Sequence, residues 1–212
     1  MRHPKKKGKI LKSSRNCQRD LQNNNLEGQF PVYTRTENSD GYPILDNDWL
    51  RSKFGLATLL KLKMLDLSNN KLSGAIDYRP LYNLNVLTHF DVSGNQLSGE
   101  VDALVAPSLT YADFSNNGFT SMRRFVQYKV SSFQTLRFCD VSNNAIQQDA
   151  ADLLENTPPN IEQFVASNNQ ITGSLPASLN DLPQLRQFNL SSNALSGELP
   201  GFAESILTLQ EL

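Results

Sequence analysis

The chain has 212 residues, of which 39% are hydrophobic, and a formal net charge of −1 at pH 7. Residues 1–19 hold eight basic residues and no acidic one, which leaves 12 basic against 21 acidic residues, a net charge of −9, in the remainder. No run approaches the ~18 apolar residues of a membrane-spanning helix, and no glycine-rich phosphate-binding motif occurs. Two histidines and two cysteines are too few for a typical metal site. Taken together, these observations lead us to expect no cofactor and no membrane span.

Residues 1–19 are predicted to form a basic, disordered tail. The run PKKKGK at residues 4–9 is compatible with a nuclear import signal or a contact with an anionic surface, although short lysine runs are common in tails that are merely solvated. The alternative is a tail that is simply solvated. The apolar segment of a signal peptide does not follow these charges.

Residues 20–61 are predicted to form a degenerate N-terminal repeat, or repeats, or a capping region. Residues 21–31 match the second half, L-x-x-N-x-L-x-G-x-F-P, of a motif that is complete further along the chain. Its strand half is predicted to be lost, because Asn16 and Arg19 occupy leucine positions. The segment around Asn47 fits the motif loosely, so residues 32–61 contain either another degenerate repeat or an insertion loop carrying Trp49.

The region from residue 62 to residue 212 repeats one motif. Residues 62–76, LKMLDLSNNKLSGAI, read L-x-x-L-x-L-x-x-N-x-L-x-G-x-I, which predicts a strand followed by a sharp turn. Five further copies follow in register, and two of them lack the glycine, the first having Ser121 in its place. The six motif asparagines are Asn70, Asn95, Asn117, Asn144, Asn169 and Asn193, at intervals of 25, 22, 27, 25 and 24 residues.

These copies resemble the leucine-rich repeat family, and the L-x-G-x-[ILVF]-P ending resembles its plant-type subclass, which is receptor-like or polygalacturonase-inhibitor-like. The resemblance implies an α/β-type solenoid, a right-handed coil with a parallel β-sheet on its concave face. On its convex face we expect 3₁₀ turns, short helices or loops. The chain stops within a repeat, so we interpret it as a fragment or a truncated gene model. The paired-cysteine cap of extracellular members is missing, and Cys139 is predicted to be a buried free thiol.

Two local patterns refine this picture. Leucine or isoleucine at every third residue predicts 3₁₀ turns at residues 81–87, 179–185 and 206–212. Residues 122–133 and 149–154 are long enough for about a turn or two of α-helix. The asparagine ladder is predicted to be structural, with Asn117 buried, because each amide can satisfy backbone groups that a sharp turn leaves unpaired.

The residues between the leucines are predicted to line the concave face in columns, since alternate residues of a strand share a face. Three aromatic side chains should lie side by side in one column, and three carboxylates should flank them in the next. The predicted ligand-binding residues are therefore His89, Tyr111, Phe138, Asp91, Asp113 and Asp140. Clustered exposed aromatic residues usually indicate contact with a partner. The alternative is that they merely stack on one another.

Catalysis is not expected. His89, Asp91 and Ser93 contain the residue types of a hydrolase triad, but same-face neighbours on one strand lie about 7 Å apart and point in parallel. Repulsion between adjacent aspartates could be relieved by a cation, although neighbouring serines and water are the ordinary partners of such aspartates.

We therefore expect a non-catalytic recognition module that binds a protein, peptide or glycan through the concave face, and no nucleic acid. The alternatives are an intracellular scaffold or nuclear adaptor that uses the basic tail, and an inhibitor of a secreted hydrolase. The chain is predicted to be cytoplasmic if complete and extracellular or at the cell surface if its N-terminus is truncated. An uncapped C-terminal end predicts self-association.

Overall fold

The computed structural model describes residues 18–20, 22–23, 27–29, 60–78, 81, 84–102, 106–122, 135–154, 157–198 and 201. Several expectations fall outside this part of the chain. They concern residues 1–17 of the basic tail, the segment around Asn47 and Trp49, the proposed helix at residues 123–133, and the C-terminal residues 206–212.

The motif strands form one parallel sheet of seven strands, the first sheet. In spatial order they are β1 (Gln18–Asp20), β3 (Met64–Asp66), β5 (His89–Asp91), β7 (Tyr111–Asp113), β9 (Phe138–Asp140), β10 (Gln163–Val165) and β12 (Gln187–Asn189). Each pairs with the equivalent residues of its neighbour, so that Asp91, Asp113 and Asp140 are register partners. The predicted parallel solenoid is confirmed.

A second sheet is formed by strands that follow the asparagine turns, β2 (Glu27–Gln29), β4 (Lys71–Ala75), β6 (Gln96–Val101) and β8 (Gly118–Met122). A separate pair, β11 (Thr172–Gly173) and β13 (Ala194–Leu195), continues it two repeats later. The motif predicts turns at these positions, so the second sheet is an addition to the sequence-based picture. It is interrupted where the fourth copy lacks its glycine.

The expectation that the first repeat has lost its strand is wrong. Strand β1 pairs in parallel with β3, with Gln18 opposite Met64 and Asp20 opposite Asp66. Pairing through the backbone does not need leucine at the inward position, so a degenerate sequence can still add a strand.

Helical structure is sparse in the part of the chain that the structure describes. An α-helix there, α1 (Ala150–Leu154), begins after Asp149, whose carboxylate accepts the amide of Ala151 at 2.8 Å. A 3₁₀ helix covers Ala177–Asp181. The leucines at every third residue are linked by i to i−3 hydrogen bonds, from Leu84 to Leu81 and from Leu185 to Leu182, as the period of three predicts.

The core lies beneath the first sheet and follows its alternation. In the first-sheet strands β5, β7, β9, β10 and β12, the middle residue is buried and the residues on either side of it are half-buried. Phe90, Phe114 and Phe119 meet edge to face, with ring centroids 5.7 and 5.9 Å apart. Cys139 is a buried free thiol, as predicted, and burial raises its pKa.

The turns after the strands use a left-handed residue immediately before the motif asparagine. Its φ lies between 53° and 63° in Asn69, Gly94, Asn116, Asn143, Asn168 and Ser192. A side chain on Gly94 would place Cβ only 2.6 Å from Oδ1 of Asn69. Glycine therefore relieves both the backbone strain and a close approach between neighbouring turns.

The motif asparagines connect successive turns. Nδ2 of Asn117 donates to the carbonyls of Phe114 and Ser115 in its own turn and to that of Val92 in the preceding turn, at 3.0 to 3.2 Å. Its Oδ1 accepts the amide of Leu97 at 3.0 Å. Asn95, Asn144, Asn169 and Asn193 make the equivalent bonds.

Candidate functional site

The three predicted aromatic residues form a closely stacked set on the outward face of the first sheet, here called the ring stack. The rings of His89 and Tyr111 lie 4.1 Å apart with an interplanar angle of 6°, and those of Tyr111 and Phe138 lie 4.4 Å apart with an angle of 2°. Strand spacing sets these distances, because parallel neighbours in a sheet lie about 4.8 Å apart. The faces of Tyr111 are therefore covered by its neighbours, and a partner would meet mainly ring edges.

Burial sets the charge state of the ring stack. It lowers the pKa of His89 below its usual 6.5, against the opposing effect of Asp66 and Asp113, so the imidazole is neutral at pH 7. It also raises the pKa of Tyr111, together with Asp113 and Asp91. The ring stack is thus an uncharged, half-buried aromatic surface.

The three aspartates of the neighbouring column, here called the carboxylate row, are register partners on β5, β7 and β9. In each of them Oδ1 accepts the amide of the serine two residues on, at 2.7 to 2.9 Å. The hydroxyl of Ser93 also donates a hydrogen bond to Oδ1 of Asp91 at 2.7 Å. Part of each carboxylate therefore closes the turn that ends its strand.

The central member of the row has an additional partner. The hydroxyl of Tyr111 donates to Oδ2 of Asp113 at 3.3 Å, so both oxygens of Asp113 accept hydrogen bonds. Asp91 and Asp140 have serine as their hydrogen-bonding partner, and no described cationic side chain pairs with either.

Burial without a nearby cation makes these two flanking charges costly. It raises the pKa of Asp91 from 3.8 to about 6, and the neighbouring charges of Asp113 and Asp66 add to the rise while the Ser93 hydrogen bonds oppose it. Burial likewise raises the pKa of Asp140, with Asp113 contributing and Ser142 opposing. A carboxylate in such a position is stabilised by an approaching positive charge.

Among strands β3 to β12, an aromatic residue is paired with an aspartate only on the middle strands β5, β7 and β9. Beyond β9 the same two columns hold Gln163 with Val165 and Gln187 with Asn189, which are neutral. On the other side, Asp66 is only 6% exposed and is held by Ser68.

His89, Asp91 and Ser93 are not arranged as a hydrolase triad. The Ser93 hydroxyl donates to Asp91, which lies between it and His89 along the strand, so the serine is not aligned with the imidazole. Within the described residues, no set of three or more histidine, cysteine, aspartate and glutamate side chains is arranged to hold a metal ion. Within the same residues, no helix has the length and apolar character needed to cross a membrane.

Sequence reasoning placed the six residues in adjacent columns but missed two features. It did not identify the hydrogen bond from Tyr111 to Asp113, although a tyrosine two residues before an aspartate on one strand is a usable signal. It also treated the three carboxylates as equivalent, whereas the structure separates Asp113 from its two neighbours.

Comparisons with known proteins agree with this architecture. The Leucine Rich Repeat family profile matches residues 61–79 and 184–205. Receptor-like protein 41 of Arabidopsis thaliana is 32% identical over 129 residues, which are 60% of this chain and 14% of that protein. The chain thus spans a small part of this relative.

Solved structures show the same coil. The Arabidopsis receptor kinase HAESA, in complex with the peptide hormone IDA and the co-receptor SERK1, has a TM-score of 0.61 and 28% identity, over 74% of this chain and 26% of that chain. A leucine-rich repeat protein of Leptospira interrogans has a TM-score of 0.59 and 21% identity, over 74% of this chain and 38% of that chain. The second likeness shows the fold alone.

Proposed function

Because this chain is a plant-type leucine-rich repeat protein, we propose that it is a non-catalytic recognition module. It binds a protein or peptide partner through the outward face of the first sheet, which we take to be the concave face. The observation that carries this proposal is the ring stack beside the carboxylate row, an aromatic surface with unpaired negative charge at its flanks. The likeness to HAESA, solved with a peptide hormone, supports a peptide as the partner.

The stacking geometry favours a peptide over a glycan. Sugars commonly pack against the open faces of aromatic rings, but here both faces of Tyr111 are covered by His89 and Phe138. Ring edges and an adjacent tyrosine hydroxyl instead suit apolar side chains and hydrogen-bonding backbone groups.

The test is a selection of peptides from a displayed random library on the immobilised chain, followed by affinity measurements on the enriched peptides. Tyr111→Ala should weaken their binding by about 1–3 kcal/mol, because buried aromatic anchors dominate interface energies. Gln147→Ala is the matched control, since Gln147 is exposed and lies outside the first sheet. Unchanged affinity in Tyr111→Ala, or no enrichment at all, would contradict the proposal.

Folding must be measured alongside binding. Tyr111 stacks on two rings, and aromatic pairs contribute about 0.5–1.5 kcal/mol each, so Tyr111→Ala should also lower stability. Tyr111→Phe keeps both stacks and removes only the hydroxyl. Binding is therefore compared at temperatures at which thermal melting shows every variant to be fully folded.

A further inference from the structure

The two flanking carboxylates of the row are separated by a defined distance. Asp91 and Asp140 lie on β5 and β9, with β7 between them, and all three strands are in register. Two strand spacings correspond to about 10 Å. The site between them is occupied by Asp113, whose oxygens accept bonds from Tyr111 and Ser115.

This arrangement leaves Asp91 and Asp140 as the members of the carboxylate row that a cation can approach without displacing the Tyr111 hydroxyl. On the neighbouring strands β3, β10 and β12, this column holds the buried Asp66 and the neutral Val165 and Asn189. Within strands β3 to β12, the carboxylates that lack a tyrosine partner and are not buried are thus Asp91 and Asp140, about 10 Å apart, on either side of the hydroxyl of Tyr111.

A polyproline-type chain matches that spacing. It has three residues per turn and rises about 3.1 Å per residue, so residues i and i+3 lie on one side about 9.3 Å apart. In a fully extended strand the same-side residues i and i+2 are separated by about 6.7 Å, and i and i+4 by about 13 Å. Residues i and i+7 of an α-helix are about 10.5 Å apart, but a helix with side chains is 10–12 Å wide. It would hold its backbone further from the sheet than a polyproline-type chain does.

We propose that the outward face of the first sheet binds a polyproline-like peptide segment with two basic residues three positions apart, one over Asp91 and the other over Asp140. The segment crosses the strands, and its two intervening residues lie over the edge of Tyr111 and the Tyr111–Asp113 hydrogen bond. This inference rests on the proposed function and specifies the chemistry of the partner.

Charge complementarity supports this occupant. Among the described residues, the titratable groups of the outward face near the two sites are His89, Tyr111, Asp66 and Asp113, and at neutral pH none of them is positive. The flanking carboxylates therefore bear their charge without compensation, and two cations on a single segment would supply it. A pre-formed polyproline segment also loses little conformational entropy on binding.

The experiment uses two sets of short synthetic peptides. In the first set the composition is constant and two arginines are separated by two, three or four residues. The second set compares Arg-Pro-Pro-Arg with Arg-Ser-Ser-Arg. Affinities are measured by fluorescence anisotropy at low salt. The three-residue separation should bind most tightly, and Arg-Pro-Pro-Arg more tightly than Arg-Ser-Ser-Arg. Asp91→Asn and Asp140→Asn should each weaken it about five-fold, as expected for a partly buried charge pair. Asp181→Asn removes the same charge from the exposed 3₁₀ helix and should change little.

Three results would overturn the inference. One is equal affinity at all three separations. Another is tighter binding by a helical peptide with arginines seven residues apart. The third is binding that Asp91→Asn and Asp140→Asn do not weaken. If library peptides lose affinity in Tyr111→Ala but not in either aspartate variant, the recognition function stands and this inference falls.

Discussion

At the scale of single residues, the motif asparagine determines how one turn is joined to the next. Asn117 satisfies three carbonyls and one amide, and two of these four groups belong to the preceding repeat. Its side chain is half-buried, where the sequence predicted a buried one. Because of its position in the turn, this asparagine helps to hold one repeat against the next.

Asn117→Ala should lower the free energy of unfolding by about 1–3 kcal/mol, because it leaves those backbone groups without partners. Partial exposure lets water reach some of them, which favours the lower part of this range. Chemical denaturation measures the loss, with Gln147→Ala as the control. A loss below about 0.3 kcal/mol would mean that the asparagine bonds are replaceable.

The pKa of Asp91 makes a prediction about pH. Because the folded value, about 6, lies above the usual 3.8, the folded state holds this proton more tightly than the unfolded state between those pH values. The contribution of Asp91 to stability must then fall as pH rises through this window and stay low above it.

Asp91→Asn should therefore reduce the loss of stability between pH 4 and pH 6. The substitution keeps the turn, since Asn189 already accepts the amide of Ser191 at 3.0 Å in the equivalent position. Denaturation curves at several pH values provide the test. If stability depended on pH in the same way for the wild type and the variant, the Asp91 carboxyl would have the same pKa in the folded and unfolded states, and the prediction would be wrong.

At the scale of secondary structure elements, the fourth repeat lacks a strand of the second sheet, and a side chain makes part of the missing hydrogen bonding. Residues 145–148 bond to β8 through the amides of Ala145 and Gln147 without forming a strand. The side chain of Gln148 then completes the edge, since Oε1 accepts the amide of Met122 at 2.6 Å and Nε2 donates to its carbonyl at 3.0 Å. This glutamine imitates one residue of a neighbouring strand.

Gln148→Ala should destabilise the chain by about 1–3 kcal/mol, because Met122 is buried and both its backbone groups would lose their partners. Gln147→Ala, one residue earlier and exposed, should be nearly neutral. Hydrogen exchange of the Met122 amide localises the effect. Equal exchange rates in the two variants would rule out this role for Gln148.

The elements differ in how far they follow from sequence. The strands of the first sheet and their register are predictable, because one asparagine per repeat marks the same point of every turn. The missing glycine of the fourth copy shows that the pattern is broken there, but not that Gln148 repairs it. Strand β1 was missed because leucine was required where only backbone pairing is needed. The parallel, face-to-face arrangement of the rings in the ring stack depends on side-chain torsion angles, which repeat spacing does not specify.

At the scale of the whole molecule, the candidate surface is a product of register. Residues 89, 111 and 138 are 22 and 27 positions apart in sequence, yet their rings lie about one strand spacing apart. The variable linkers between strands change the intervals without moving the columns. Neighbouring repeats share one core, so the columns stay aligned across the described strands.

The asparagine bonds between turns also bear on how such a surface can evolve. A gene duplication that inserted one whole repeat would present the new asparagine with the same carbonyls and amide that its neighbours already use. The apolar residues of the inserted repeat would pack into the shared core, and each outward column would lengthen by one side chain. Deleting a repeat would shorten the columns in the same way. In such a protein, recognition can be rewritten by copying and removing units of sequence, with the remaining contacts preserved.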